Sequence, residues 1–549
     1  MLVNDDLFLG NPVRRKWFSL FLSVIVLLSL LIPVQGLKAT TPSLQPDTTF
    51  KKGLSFAAWW AGQYSDPGAD LSLEALASTG ADWISLIVTG YQDTQSSTTI
   101  DLTSPHTPTD ADLIHVIQQA HGLGLKVMLK PHVDLLNETA QNWRGDIGTD
   151  FTTEAQWSAW FTAYRNFIEH YARLAQANGV DQFSVGTELE GTTQRAADWR
   201  TVVAGVRAIF SGPLTYAALH GGEETSITWW DTVDYIGVDA YYPLADDITH
   251  HPTEAELEAR WQVPKTILAN LAAQYGKSIL LTEIGYRSQH GCSDHPWDSL
   301  AVSPVDLEEQ AFAYQAAFRQ LYGQPWLAGM FWWTWHADRF KSGPCDDSYS
   351  PHLKPAEDIL RAWYRGAPRP APPILFADYN HALDVYTEGL AASWLDWSWS
   401  ATVNQAATDQ AYRGDQSISA TLSAWGALSL VHPTFSPGQY YWLEFYVRGS
   451  SPSQLNLWAF FDAKDGTRLP PVPVNDCRYI EGGKIDSTTW RRVRIPLSEL
   501  NVPGLDLTRL SIQNQDGQNA ASFWIDDIRL VGATKPISQV FLPLVVKRR

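Results

Sequence analysis

From Gly53 to about Gly366 short apolar runs alternate with longer amphipathic stretches. The runs are Leu54–Ala58, Trp83–Val88, Lys126–Lys130, Gln182–Gly186, Leu214–Ala217, Tyr235–Val238, Ser278–Leu281 and Gly329–Trp333. Between them apolar residues recur at helical steps. Trp157, Trp160, Phe161, Tyr164, Phe167, Ile168 and Tyr171 are three or four residues apart, and Gly179 closes that stretch. Asp306 to Tyr322 repeats the pattern and stops at Gly323. Eight strand candidates alternating with helices predict an α/β fold, one closed (β/α)8 TIM barrel over residues 51–366. An open doubly wound sheet would share the alternation, but no glycine-rich phosphate fingerprint follows the first strand.

The rhythm changes beyond the barrel. Residues 367–373, Ala-Pro-Arg-Pro-Ala-Pro-Pro, read as a stiff linker. After it the helical period is lost, and runs such as Tyr441–Val447 and Leu455–Phe460 are separated by Gly, Pro, Ser and Asp. That predicts an all-β, jelly-roll-like sandwich over 374–532. Residues 533–549 form an apolar tail with a basic end, read as an edge strand or as a sorting or surface-retention tail. At the other terminus Arg14-Arg15-Lys16 precedes an apolar run from Trp17 to Ile32, then Pro33 and Val34-Gln35-Gly36. Residues 1–36 have the order of a secretory signal, with an uncleaved anchor as the alternative, and 37–50 form a linker. The expected location is secreted or at the extracellular cell surface, with a membrane reached only through an uncleaved N-terminal anchor or the tail.

The chain has 549 residues, 45% of them hydrophobic and 18% charged, which excludes a mainly disordered protein. Its formal net charge of −19 argues against nucleic acid or anionic lipid as a partner. The 25 tryptophans indicate aromatic cores, or surfaces that stack on sugars.

The chemistry of a barrel lies at the C-terminal ends of its strands. Glu188 follows the fourth apolar run and Glu283 the seventh, about three βα units apart, so closure sets them on opposite sides of one cleft. A carboxylate directly after an apolar run is costly to bury without a purpose. Two carboxyl groups across a cleft are what glycosidic cleavage needs, one a neutral acid for the leaving oxygen and one an anion for the sugar carbon. Glu190, two residues past Glu188, competes for the acid role.

Several segments together resemble glycoside hydrolase family 113: Val185-Gly186-Thr187-Glu188, Leu281-Thr282-Glu283-Ile284-Gly285, Phe331–Trp335, Lys130-Pro131-His132-Val133 and Val238-Asp239-Ala240-Tyr241-Tyr242-Pro243. The resemblance implies a retaining β-mannanase of clan A, with Glu188 as acid/base and Glu283 as nucleophile. Most of that clan has Asn before the acid/base to bond the sugar 2-hydroxyl, whereas Thr187 stands here. By the period of two, Phe331, Trp333 and Trp335 share a face, and Trp335 is expected to be the platform under the sugar. Trp333, Trp59 and Trp60 are further platforms or core. Tyr241 or Tyr242 is expected to hydrogen-bond the nucleophile, and Lys130 and His132 to contact sugar hydroxyls or to serve in ion pairs. The β domain resembles carbohydrate-binding modules. In it Asp378 and Asp526 are candidate ligands of a structural Ca²⁺, against ordinary turn aspartates, and Trp394, Trp397, Trp399 and Trp425 are stacking or core candidates.

Three cysteines allow at most one bridge, and Cys292–Cys345, in the loops after strands seven and eight, is the candidate for an exported chain, against two free thiols. No metal-ligand spacing or HExxH is present, so no catalytic cofactor is expected. The expected partner is a polysaccharide or oligosaccharide, with β-1,4-mannan first and glucan, xylan or glucomannan as alternatives. A non-catalytic glycan-binding surface protein is the rival from another class.

Overall fold

The computed structural model describes residues 50–366 and 381–532, apart from 139–141, 248, 439, 452–454, 503 and 518–519. The proposed signal segment, both linkers except Phe50, the C-terminal tail and Asp378 lie outside the described residues. The chain divides into two compact units, one ending at Arg369 and one starting at Pro370.

In the first unit eight strands close a parallel barrel in sequence order: β1 Lys51–Ala57, β2 Trp83–Gln92, β3 Lys126–Leu135, β4 Gln182–Thr187, β5 Leu214–Leu219, β6 Ile236–Asp239, β7 Ile279–Ile284 and β8 Leu327–His336. The strands are apolar on both faces because each is covered twice, by the barrel interior and by the helical ring. Trp83, Met128, Leu280, Ala328 and Phe331 form a cluster of their own. Gly53 on β1 makes room for it, since a Cβ there would lie 2.3 Å from the Phe331 ring. Seven of the 25 tryptophans fill the core of this unit. Trp160, Trp199, Trp229, Trp230, Trp261, Trp332 and Trp335 are all fully buried. Trp199 and Trp229 stack at 5.1 Å, and Trp332 stacks on Tyr314 at 3.7 Å. The helix Glu154–Ala177 starts at a capping box between Thr153 and Gln156 and turns its aromatic stripe onto this core.

The second unit is antiparallel and all-β: β9 His381–Tyr386, β10 Leu395–Asp396, β11 Trp399–Ala407, β12 Ser417–Phe435, β13 Trp442–Gly449, β14 Leu457–Ala463, β15 Val472–Pro473, β16 Arg491–Pro496, β17 Leu507–Asn514 and β18 Ala521–Gly532. The long β12 pairs with β18 through Ile418–Leu422 and with β17 from Ala427 onward. Between the two stretches Trp425 has φ +60°, so the strand bends there and passes from one set of partners to the other.

Two expectations need correction. Cys292 is a free, buried thiol, so the Cys292–Cys345 bridge is not formed. Its side chain turns inward to hydrogen-bond Glu309, and burial next to that carboxylate pushes the thiol well above its ordinary range. Asp526 is a loop anchor and gains no support as a Ca²⁺ ligand. Its Oδ2 accepts the backbone N–H groups of Tyr412 and Arg413 at 2.9 and 3.1 Å, and its Oδ1 that of Asp527 at 2.7 Å.

Candidate active site

Three strands gain one residue at the same end of the barrel. On β4, Ser184 to Thr187 opposes Thr215 to Ala217. On β7, Leu281 to Glu283 opposes Val238 to Asp239. On β8, Trp332 to Trp335 opposes Leu54 to Phe56. An extra residue re-aims the side chains that follow it. Glu188 and Glu283 both stand directly at such a bulge.

Glu283 is nearly buried. Its Oε2 accepts the Tyr241 hydroxyl at 2.6 Å, and its Oε1 accepts the Lys130 ammonium. Lys130, wholly buried, also donates to Asp239 at 3.0 and 3.1 Å, and Asp239 accepts the Thr282 hydroxyl at 2.7 Å. Burial opposes the charge on Lys130, yet the two carboxylates outweigh it and raise its pKa. Burial and the Glu283 charge push Asp239 up to about 7 against the pull of Lys130 and Thr282. One ammonium serves two carboxylates, so the trio is not charge-neutral when both acids are ionised.

Glu188 has the opposite surroundings. It leaves β4 at φ +51°, a left-handed conformation that costs a non-glycine residue roughly 1–3 kcal/mol and persists only where neighbours enforce it. They do so here. The Glu188 N–H donates to the Ala217 carbonyl at 2.8 Å, and the Leu189 N–H to the Tyr216 hydroxyl at 2.8 Å, which in turn donates to Glu223. Gly186 lets Tyr216, Tyr164 and Trp199 close in behind the turn, since a Cβ would lie under 3 Å from each. Arg144 faces the carboxylate, with Nη1 3.4 Å from Oε2, and is itself committed to Asp134 at 2.7 Å. Burial, joined by the Asp239 and Glu283 charges, pushes Glu188 up to about 8 even so.

His132 bridges the two halves. Arg144 Nη1 lies 3.0 Å from His132 Nδ1, and burial with the nearby Arg144 and Lys130 charges lowers the imidazole far below its usual range. The ring is therefore neutral, Nδ1 is the acceptor, and the proton sits on Nε2. Nε2 is 3.8 Å from Glu283 and has no hydrogen-bond partner. The His132 ring lies nearly parallel to Trp333 at 6.2 Å, and Trp59 adjoins Trp333 at 6.1 Å, so the three make one aromatic wall.

The expected residues thus divide. Glu188, Glu283, Tyr241, Lys130, His132, Trp333 and Trp59 are brought together. Trp335 is not. It is 1% exposed, donates to Ser72 at 3.0 Å and packs on His352, because the β8 bulge carries it to the outer face. Trp333, not Trp335, stands beside His132 and Trp59. Tyr242 turns the other way and donates to Glu224 at 3.1 Å. Trp60 is half exposed and packs on His106 at 4.1 Å. Thr187 is buried with no partner for its hydroxyl. Lys130 meets carboxylates with its ammonium rather than open cleft. Arg144, Asp239 and Thr282 are the additions that sequence reading missed. Asp239 directly precedes the Tyr241 motif and was within reach, whereas Arg144 lies on a short 3₁₀ turn with no periodic signal.

Residues 55–354 match Glycoside Hydrolase Family 113. The GH113 β-mannanase AaManA from Alicyclobacillus acidocaldarius, solved in complex with ManMIm, is 31% identical, with 58% of this chain and 98% of that one covered at a TM-score of 0.52. Two further structures of GH113 β-1,4-mannanase are 30% and 29% identical, cover 58% of this chain and 99% of their own, and give TM-scores of 0.50 and 0.52. No curated protein sequence matches the chain. An eight-stranded parallel barrel whose sequence matches this family over most of the first unit leaves one conclusion: the chain belongs to Glycoside Hydrolase Family 113 and is a glycoside hydrolase.

Proposed function

We propose that the protein is an exported, retaining β-glycosidase that cleaves β-1,4-mannan by double displacement, with Glu188 as acid/base and Glu283 as nucleophile. The observation that carries this reading is the inequality of the two carboxyl groups. Glu188 is pushed up to about 8 by burial, while Glu283 receives two strong donors. Paired acids with divergent surroundings are how one cleft holds a proton donor beside an anion.

The steps follow from that inequality. Glu188 gives its proton to the glycosidic oxygen as Glu283 attacks the anomeric carbon, forming a glycosyl ester and releasing the first sugar product. Ester formation removes the Glu283 charge, one of the causes that hold Glu188 up. Glu188 then serves as base, taking a proton from the water that attacks the ester, and the anomeric configuration is retained. Tyr241 and Lys130 position Glu283, and Arg144 orients Glu188. The Trp333–Trp59 wall offers a sugar platform, and His132 Nε2 and the unpartnered Thr187 hydroxyl are its candidate hydrogen-bonding groups.

Mannan as substrate is supported by the β-mannanase relatives, which align over nearly their whole length. Export is supported by the basic-then-apolar order of residues 14–36. In the β unit Trp397 and Trp425 are exposed and remain candidates for a glycan-stacking surface, whereas Trp394 is buried against Phe435. The test is reducing-sugar release from mannan, xylan, cellulose and mixed-linkage glucan by wild type beside Glu188→Gln. Release from mannan that the variant loses supports the reading. Binding without turnover on every glycan overturns it in favour of a non-catalytic glycan binder.

A further inference from the structure

We propose that His251, His290, Asp306 and Glu309 form a structural site for a divalent cation of the zinc class, apart from the catalytic cleft. The four side chains come from three places: the segment after β6, the loop after β7, and the first turn of the helix Leu307–Leu321. His251 Nε2 lies 3.1 Å from Asp306 Oδ2. His290 Nδ1 lies 3.5 Å from the same oxygen and 3.8 Å from Glu309 Oε2. One donor atom from each of His251, Asp306 and Glu309 falls within 4.8 Å of the other two. For four ligands at about 2.0–2.2 Å from a tetrahedral zinc ion, neighbouring donor atoms are about 3.3–3.6 Å apart. Three of the six edges among the four donor atoms are 3.1, 3.5 and 3.8 Å, on either side of that range.

The oxygens are also sorted for the task. Asp306 Oδ1 caps the helix, accepting the N–H groups of Glu308 and Glu309 at 3.1 and 3.0 Å, which leaves Oδ2 facing the imidazoles. Glu309 is fully buried, and its Oε1 is held by the Ser293 N–H and hydroxyl at 3.0 and 2.6 Å. The Gly291 N–H donates to Glu309 Oε2 at 2.7 Å. Such outer partners orient ligands in metal sites. Two carboxylates face two imidazoles here, a mixed oxygen and nitrogen donor set. Imidazole donors favour zinc over calcium or magnesium, which prefer oxygen alone. The imidazoles are about one-third exposed, which gives an ion a path in.

A bound ion would tie the β6 segment to the β7 loop. The Ser293 carbonyl accepts the N–H groups of Leu244 and Ala245 at 2.7 and 3.1 Å, just beyond Tyr241. The site therefore braces the segment that delivers the Glu283 partner, and its role is structural.

The test uses the full chain, stripped with a chelator and titrated with Zn²⁺ alone by calorimetry and thermal melting. One tightly bound Zn²⁺ per chain and a higher melting temperature are expected. The His251→Ala/His290→Ala double variant should bind at least about tenfold more weakly. A His170→Ala control, altering an exposed histidine paired with Asp110, should leave binding unchanged. Co²⁺ bound to wild type should give the intense visible absorption of four-coordinate cobalt, a readout that does not depend on the variants folding. Absence of stoichiometric Zn²⁺ binding, equal affinity in the double variant, or the weak spectrum of six-coordinate cobalt would overturn the proposal.

Discussion

With Glu188 as the proposed acid, the basic limb of the pH–rate profile should report its titration. In the free enzyme the acid must carry its proton, and burial with the neighbouring carboxylates sets its midpoint at about 8. A single group titrating there lowers kcat/KM about tenfold between pH 7 and pH 9. Two substitutions move that limb in opposite directions. The Arg144 guanidinium stabilises the ionised form, so Arg144→Gln shifts the limb to higher pH. The Asp239 charge disfavours the ionised form, so Asp239→Asn shifts it to lower pH. Each unit of separation between the two variants corresponds to ~1.4 kcal/mol of differential interaction. The assay is kcat/KM on a soluble manno-oligosaccharide from about pH 5 to 10 for wild type and both variants. A limb that stays in place, or that moves the same way in both, refutes the electrostatic assignment of Glu188.

Replacing the nucleophile, Glu283→Ala, should cost several orders of magnitude in kcat, and azide should restore turnover while yielding the product of inverted configuration. Retention of most activity removes Glu283 from the mechanism. Tyr241→Phe deletes a hydrogen bond to a charged group, worth about 1.5–3 kcal/mol, so kcat should fall between about 10- and 150-fold while Tyr242→Phe has a smaller effect. The two barrel tryptophans separate by readout. Trp335→Ala should lower unfolding free energy by about 3–5 kcal/mol in denaturant titration, as loss of a fully buried indole does. Trp333→Ala should instead weaken kcat/KM on oligosaccharides by about tenfold with a smaller stability loss, since its ring faces the cleft wall. Lys130→Met strands two buried carboxylates and should destabilise by about 3–5 kcal/mol, with part recovered in the Lys130→Met/Asp239→Asn double variant.

All eight barrel strands were legible because strands covered on both faces must be continuous apolar runs, and each predicted run falls on or within one residue of an observed strand. Glu188 and Glu283 were legible for the same reason: a carboxylate ending such a run is conspicuous. What failed was the direction of side chains. Period-two counting assumes an unbroken pleat, and the extra residue between Trp332 and Trp335 overturns it, exchanging a platform for a core residue. The disulfide expectation failed likewise, since adjacent loops do not tell whether a thiol faces its neighbour or, as Cys292 does, the interior. Asp239 stood in view, but its pairing with Lys130 spans the barrel between β3 and β6, and closure alone brings the two together. Arg144 is a loop residue whose partners come from β3 and the end of β4, a meeting with no local pattern.

The most direct measurement is the configuration of the first sugar released. Proton NMR of a manno-oligosaccharide digest, recorded before mutarotation, should show the β-anomer appearing first and the α-anomer growing in later. An α-anomer at the earliest time points would mean a single displacement by water and would contradict the assignment of Glu283 as nucleophile.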